Sequence, residues 1–316
     1  MDQLRAMRVF ARVIDEGSFA RAAQALDIAP AVATRLVAEL EEHLSARLIH
    51  RTTRRLALTD IGEIYLERVR GILGDIDDAE ALAGAATAEP RGTLRVLATP
   101  GFAVHQLAPR LPAFHALHPR ITVELSVQGM LETVDENHDL TLMVLGKQTL
   151  AGNFIARPLA TSDVVLCASP AYLARAGRPQ QPQDLAEHDT LVPASASEQR
   201  SMSFLRPGSD EPPVPVSIRR RPILTTQHVD TVHAATLAGL GIAGLPSFVA
   251  AEGLLAGRLE RLLPQWSLLT LRIVAAMPTR KHVPMRTRAF LDFLIDRLGD
   301  ATRDPWLAAA GCESCA

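Results

Sequence analysis

Residues 17–58 read GSFARAAQALDIAPAVATRLVAELEEHLSARLIHRTTRRLAL. Gly17 suits a helix stop, and Ser18 suits the N-cap of a short helix from Phe19 to Leu26. The turn Asp27-Ile28-Ala29 leads to Pro30, which fits a first helical position because the N–H it lacks would have no partner there. A second helix then runs to about Leu44. At about 100° per residue, Ala33, Val37, Leu40 and Leu44 share one face, with Ala31, Arg35, Ala38 and Glu42 opposite. One face is to be buried and the other presented. Two helices on a tight turn, the second amphipathic, form a helix-turn-helix, whose second member lies in the major groove. Close approach to DNA asks for small residues (Pro30, Ala31, Ala38) and a few donors (Thr34, Arg35). Arg35 could fork onto guanine O6 and N7, a pairing that discriminates by ~1–3 kcal/mol.

Upstream, Leu4, Met7, Phe10, Ala11 and Ile14 recur at helical spacing, predicting a helix from Asp2 to about Glu16. Downstream, β-prone stretches near Arg47–His50 and Leu56–Leu58 flank Arg51-Thr52-Thr53-Arg54-Arg55, which reads as a hairpin with a basic tip. Arg51, Arg54 and Arg55 would meet phosphates or the minor groove. The same cluster also suits a solvated turn on a small helical bundle. Thr59 can cap a long helix from Asp60 to about Ala88, with Ile64, Val69, Ile72, Ile76 and Ala79 along one side. Its length exceeds what its own core needs, so a partner helix from a second subunit is expected. Charge follows these segments: 1–58 holds nine arginines against seven acids, and 59–90 two arginines against eight acids.

From Thr93 the texture changes. Strand candidates Leu94–Ala98, Thr122–Val127, Leu140–Val144, Val164–Ala168, Ile242–Leu245 and Leu271–Ala276 alternate with helical stretches at Ala103–His118, Val229–Ala238 and Met285–Leu298. The expectation is an α/β body with mainly parallel sheets behind an all-α winged helix-turn-helix. Arg206–Pro215 reads as a surface loop. Gly239-Leu240-Gly241-Ile242-Ala243-Gly244 spells a dinucleotide fingerprint, but a helix precedes it and a strand follows, the reverse of what pyrophosphate binding requires. Gly239 is therefore read as a helix stop. His105, His115, His118 and His138 are not grouped with Asp, Cys or Ser at metal or nucleophile spacing, so neither catalytic nor metal residues nor a cofactor are expected.

The run from Leu4 to Leu66 resembles the LysR-type DNA-binding head without a gap, through Phe10, Gly17-Ser18-Phe19, Ala22-Ala23, Leu26, Leu40-Glu41, Leu44, Leu48, Arg51, Leu58-Thr59 and Gly62. The resemblance continues through Gly92-Thr93-Leu94-Arg95-Val96, Leu107–Leu111, Phe114, Pro119, Asp139-Leu140, Ala168–Leu173 and Ala238–Ile242. It implies a winged helix-turn-helix over 1–59, a linker and dimerisation helix over 60–90, an effector-binding domain over 91–300 and a C-terminal tail over 301–316. The effector domain would be two α/β subdomains hinged like a periplasmic binding protein, about 92–162 with 269–300 and about 163–268. Candidate DNA contacts are Ser18, Pro30, Ala31, Thr34, Arg35, Arg51, Arg54 and Arg55. Candidate effector contacts are Thr99, Phe102, Gly129, Ser195, Ser197, Gln227 and His228. Several stand at strand-to-helix junctions, where free N–H groups favour an anion, though each also suits a cap or turn. Against the family pattern, Ala29 replaces a serine cap, Leu36 a common glutamine, and Glu39 a frequent base. These changes are expected to remove donors from the reading helix.

The implied function is regulation of transcription by a protein that binds double-stranded promoter DNA and a small-molecule effector, as a homodimer or homotetramer with RNA polymerase as a further partner. A solute-binding receptor, which the body alone would permit, is opposed by the DNA head and by the lack of an export signal. No apolar run nears the ~20 residues of a membrane span, so a cytoplasmic location without membrane contact is expected. Cys167, Cys312 and Cys315 are too few for a disulfide scaffold. Cys167 is expected to be buried and inert, and the Cys312/Cys315 pair to lie in a frayed terminus.

Overall fold

Helix α1 (Gln3–Glu16) opens on the Asp2 carboxylate, which accepts the Arg5 N–H at 3.0 Å, and stops at Gly17 with φ 61°. Ser18 caps α2 (Phe19–Ala25). The turn to α3 (Pro30–His43) is tight because Asp27 takes φ 51° and the Ile28 N–H closes onto the Ala23 carbonyl at 3.0 Å; Asp tolerates this left-handed conformation better than most residues. Phe10, Val13, Ala22, Ala33, Val37 and Leu40 fill the space between the three helices. This computed structural model describes residues 2–51, 56–83, 89–129, 131–146, 148, 154–193, 201–206, 212–217, 220–278, 283–299 and 302–312. Two units separate by contacts, 1–89 and 90–316.

Strands β1 (Ile49–Arg51) and β2 (Leu56–Leu58) pair antiparallel, Ile49 opposite Leu58, and lead into α4 (Asp60–Ala83). Two buried contacts lock this wing to the helices. Glu41, only 4% exposed, accepts the Leu48 and Ile49 N–H groups on Oε1 at 2.9 and 3.1 Å and Arg47 Nη1 on Oε2 at 3.1 Å. Thr59 donates to the Arg47 carbonyl at 2.6 Å and accepts the Gly62 N–H at 2.9 Å. Gly62 must be glycine there: a Cβ would stand 2.0 Å from the Leu48 carbonyl oxygen.

In the second unit, β3 (Gly92–Ala98) lies between β4 (Ile121–Val127) and β5 (Leu140–Leu145), parallel to both. The helical run 100–117, here α5, crosses between β3 and β4 and contains one π-helical turn, Ala103–Leu107. Then β6 (Phe154–Ala168) carries the chain into the second lobe. That lobe holds α6 (Pro170–Ala176), β7 (Thr190–Val192), the antiparallel pair β8 (Ser201–Phe204) and β9 (Val214–Ser217), and β10 (Leu224–Thr225). It continues with α7 (Val229–Leu237), β11 (Ile242–Pro246), α8 (Ser247–Leu255) and β12 (Glu260–Leu262). Strand β13 (Leu269–Pro278) returns to the first lobe, which α9 (Met285–Leu298) covers.

All strands but β1, β2, β8 and β9 belong to one ladder, β10-β7-β11-β6-β13-β5-β3-β4, with β12 also on β6. The expectation of mainly parallel sheets holds only on its flanks. At the centre β6 runs antiparallel to β11, β12 and β13, and β13 antiparallel to β5. The outgoing and returning strands lie side by side, so they must point in opposite directions. Part of the expected Arg206–Pro215 loop is also strand, since Val214 and Pro215 pair with Phe204 and Ser203. Gly239, at φ 81°, follows α7 as a helix stop.

The expected fraying of the C-terminus is not what the structure shows. Residues 302–312 carry helix α10 (Pro305–Ala309), with Trp306 6% and Leu307 0% exposed, and Cys312 is half-buried rather than frayed. Asp304 explains the order, since Oδ1 accepts the Trp306 and Leu307 N–H groups at 3.0 Å each. The remainder of the Cys-x-x-Cys segment lies outside the described residues. Among the described residues no helix is long and apolar enough to cross a membrane.

Candidate functional site

On α3 the buried arc is Ala33, Leu36, Val37, Leu40 and Glu41. The opposite arc exposes Pro30, Ala31, Thr34 and Arg35. Both donors have partners within the helix: Thr34 Oγ1 donates to the Pro30 carbonyl at 3.1 Å, and Arg35 Nη1 lies 3.5 Å from the Glu39 carboxylate. The Arg35 side chain is 67% exposed, so this ion pair is weak and exchangeable. Ser18 holds the Arg21 N–H at 3.5 Å, which commits its oxygen to capping α2. The Arg51 backbone pairs with Leu56 at the end of the wing. Arg54 and Arg55 lie outside the described residues.

The structure changes the meaning of two departures from the family pattern. Leu36 is 5% exposed and sits in the core, so it removes no donor from the presented face. Glu39 is half-buried and serves as the partner of Arg35. Ala29 matches its expectation of a missing cap, for no side-chain bond closes the start of α3. Glu41 is a working residue that helical periodicity alone does not single out. Its signal was its position four residues after Val37, on the buried arc, where an acid must find donors.

In the body, junctions from the two lobes meet. Thr99 ends β3 and opens α5 without a side-chain cap bond. Gly129, exposed, stands just beyond β4, whose end is tied to β3 by the Gln128 N–H on the Ala98 carbonyl at 3.1 Å. Gln227 and His228, both exposed, join β10 to α7. These positions follow the carboxyl ends of parallel strands, where open α/β sheets hold ligands. The two helix starts abut, because a Cβ on Gly101 would lie 2.5 Å from Val229 Cγ1. Ser195 and Ser197 lie outside the described residues. Phe102 does not fit its expected role as a ligand contact. It is fully buried and packs edge-on against Phe248 of α8, ring centres 5.6 Å apart.

Beside this junction lies a polar group whose members are far apart in sequence. His105 Nε2 is 2.9 Å from Asp230 Oδ1, bridging the lobes, and His228 Nε2 is 3.8 Å from the other Asp230 oxygen. His228 caps α7 through its Nδ1, which accepts the Thr231 N–H at 3.3 Å. His233 packs edge-on to His105 at 5.1 Å. Burial holds the His233 imidazole below its ordinary range, and the neighbouring His105 pushes the same way. The arrangement offers backbone N–H groups, imidazoles and one acid around a shared edge.

Comparison with known proteins agrees with both halves. Residues 4–63 match the family model described as "Bacterial regulatory helix-turn-helix protein, lysR family", and residues 87–299 match "LysR substrate binding domain". The regulator CrgA of Neisseria meningitidis serogroup C is 34% identical over 301 residues, spanning 93% of this chain and 96% of that protein. An uncharacterised helix-turn-helix regulator of Haemophilus influenzae is 33% identical over 291 residues, covering 90% and 97% of the two chains. Among solved structures, CrgA aligns with TM-score 0.58 at 32% identity, covering 94% of this chain and 99% of the other. The Vibrio cholerae virulence activator AphB aligns with TM-score 0.56 at 25% identity, with the same coverage. With a helix-turn-helix that presents one face of α3, followed in the chain by a two-lobed α/β body, this chain belongs to the LysR family of transcription regulators and is not an enzyme.

Proposed function

We propose that α3 is inserted into the major groove of promoter DNA, with Arg35 and Thr34 reading base edges and Pro30 and Ala31 allowing close approach. Arg51, Arg54 and Arg55 hold the backbone or minor groove from the wing, and Ser18 orients α2 on the adjacent phosphates. One observation carries this reading: α3 exposes small residues and two donors on one arc while its other arc is locked into the core. For the Arg35 fork to reach guanine it must leave Glu39, an exchange the weak exposed pair permits. The exposed side of α4 presents Ile61 at 56%, Ile64 at 65% and Ile72 at 45%, an apolar stripe suited to a second copy of this helix. We therefore assign 60–90 to dimerisation, within a dimer or tetramer of cytoplasmic chains.

The effector is placed between the lobes of 91–300, against Thr99, Gly129, Gln227 and His228, with Ser195 and Ser197 on the neighbouring segment. The helix starts there attract a negative group. Asp230 would repel one were it not answered by His105 and His228, so a small anion that also carries a hydrogen-bond donor fits best. Binding shifts the lobes, the spacing of the paired heads and thereby access of RNA polymerase.

The test is a pair of substitutions assayed on selected and random DNA over a salt series. Arg35→Ala should cost ~1–3 kcal/mol on the selected site and relax its sequence preference. Arg54→Ala should weaken both DNAs alike and lower the salt slope by about one. Equal loss on both DNAs from both substitutions would reject the division of roles.

A further inference from the structure

We propose that residues 302–312 form a strap that pins the two lobes of the body together at their crossover, and that Asp304 and Trp306 are its positioning residues. The segment lies beyond the 87–299 stretch matched by the family model. It is anchored on both sides of the sheet crossover. Trp306 belongs to a core built mainly from the first lobe, with Phe114, Phe290 and Leu294 and with Phe248 and Val249 of α8, while the adjacent Leu307 belongs to a core of the second, with Val165, Leu191 and Leu245. Consecutive side chains thus enter different cores.

Polar bonds fix the strap where β6 passes from lobe to lobe. The Thr161 N–H donates to the Arg303 carbonyl at 3.2 Å, and the Asp163 N–H to Asp304 Oδ2 at 2.8 Å. Trp306 Nε1 donates to Gln106 Oε1 at 2.7 Å, and Gln106 Nε2 donates in turn to the Phe248 carbonyl at 2.7 Å. Gln106 is on α5 of the first lobe and Phe248 on α8, which follows β11 of the second. Trp306 also packs on Phe248 at 5.7 Å, and Phe248 on Phe102 at 5.6 Å. The chain Trp306–Gln106–Phe248–Phe102 therefore ties the strap, both lobes and the helix start at the ligand junction. Every bond in it is buried, so none has water as a ready substitute.

A merely local role would need no link to α5 and α8. Any motion that swings the lobes about β6 and β13 must shear Trp306 against Leu307 or break the Gln106 bonds. The strap accordingly sets how readily the lobes separate. This inference deepens the reading of the body as a hinged sensor and rests on that reading only for its biological purpose.

Hydrogen exchange on the full chain, without DNA or ligand, tests it. Trp306→Ala empties the shared core, and Asp304→Asn keeps the volume while turning a donor towards the Asp163 N–H. The expected result is exchange about tenfold faster, not only in 161–163 but also in 100–103 and 229–232, where the lobes abut and the strap makes no backbone contact. Peptides 30–43 of the head should be unchanged. If a folded variant speeds exchange in 161–163 alone, the strap is a local plug and the proposal fails. Should Trp306→Ala not fold, Asp304→Asn is read on the same peptides with the same two outcomes. Because no DNA is used, loss of the regulator reading would leave this result standing, and its failure would leave DNA binding untouched.

Discussion

Replacing Glu41 should uncouple the wing from the reading helix. Its Oε1 takes two backbone N–H groups, Leu48 and Ile49, from residues that are 0% and 3% exposed. Glu41→Ala leaves both donors buried, and an orphaned buried group costs ~1–3 kcal/mol, giving a loss on the order of 2–6 kcal/mol. The Arg47 contact adds little, since that side chain is 73% exposed and such pairs contribute ~0–1 kcal/mol. Glu41→Gln can keep its amide oxygen on both N–H groups and turn its NH2 towards Arg47, so only the exposed pair, ~0–1 kcal/mol, is expected to be lost. Against a domain stability of roughly 5–15 kcal/mol, the alanine variant is severely weakened. The units give separate signals. Both tryptophans, Trp266 and Trp306, are in the second unit, whereas helical circular dichroism reports both. Urea titration should show a dichroism transition moved to lower urea for the first unit while tryptophan fluorescence stays in place. If neither variant loses more than ~0.5 kcal/mol, the latch is not what holds the wing.

Gly62→Ala should displace the wing and abolish DNA retention, at ~1–3 kcal/mol or more, because its Cβ would meet the Leu48 carbonyl at 2.0 Å. Gly71→Ala on the same helix meets nothing within 4 Å and should raise the melting temperature; equal effects from the two would refute the packing argument. Burial holds His188 and His233 below the ordinary histidine value of 6.5. The folded state therefore binds their protons less well than the unfolded chain, and stability present above about pH 6.5 is lost as pH falls through the lowered values. His233→Leu should flatten that slope in melting temperatures taken from pH 7.5 to 5, and an unchanged slope would contradict it. Burial raises Asp163, the opposite sign, so its contribution is present at low pH and lost as pH rises through the raised value. The Cys167 thiol, fully buried, is pushed up to about 12. Alkylation at pH 7 should therefore spare it while labelling the half-buried Cys312, and labelling of Cys167 first would be the contrary result.

Local signals carried the head. Gly17, Ser18 and Pro30 each act on one or two neighbouring residues, and a period of 3.6 separates the core arc of α3 from its presented arc, so the elements could be read one by one. Leu36 is hard to place from sequence because it lies at the margin of the buried arc, where packing from α1 and α2 decides the outcome. The body was legible as alternating strands and helices, but the direction of β6 against β13 depends on pairing between residues about a hundred apart. His105 meeting Asp230, Glu41 meeting Leu48, and Trp306 meeting Gln106 are likewise tertiary facts, with no periodicity to announce them. Position near the chain end points to fraying, and the Asp304 cap with the two cores beneath Trp306 and Leu307 overrides it.

Reading of DNA by the exposed arc of α3 is tested most directly by capture of genomic fragments. Genomic fragments should be incubated with the purified chain and with its Arg35→Ala variant at low ionic strength, and the retained DNA sequenced. The parent chain should retain a few strongly enriched promoter fragments with partly palindromic sites, and the variant should lose that enrichment while keeping general retention. Retention no different from random DNA by the parent chain, or an identical set of sites for the variant, would contradict it.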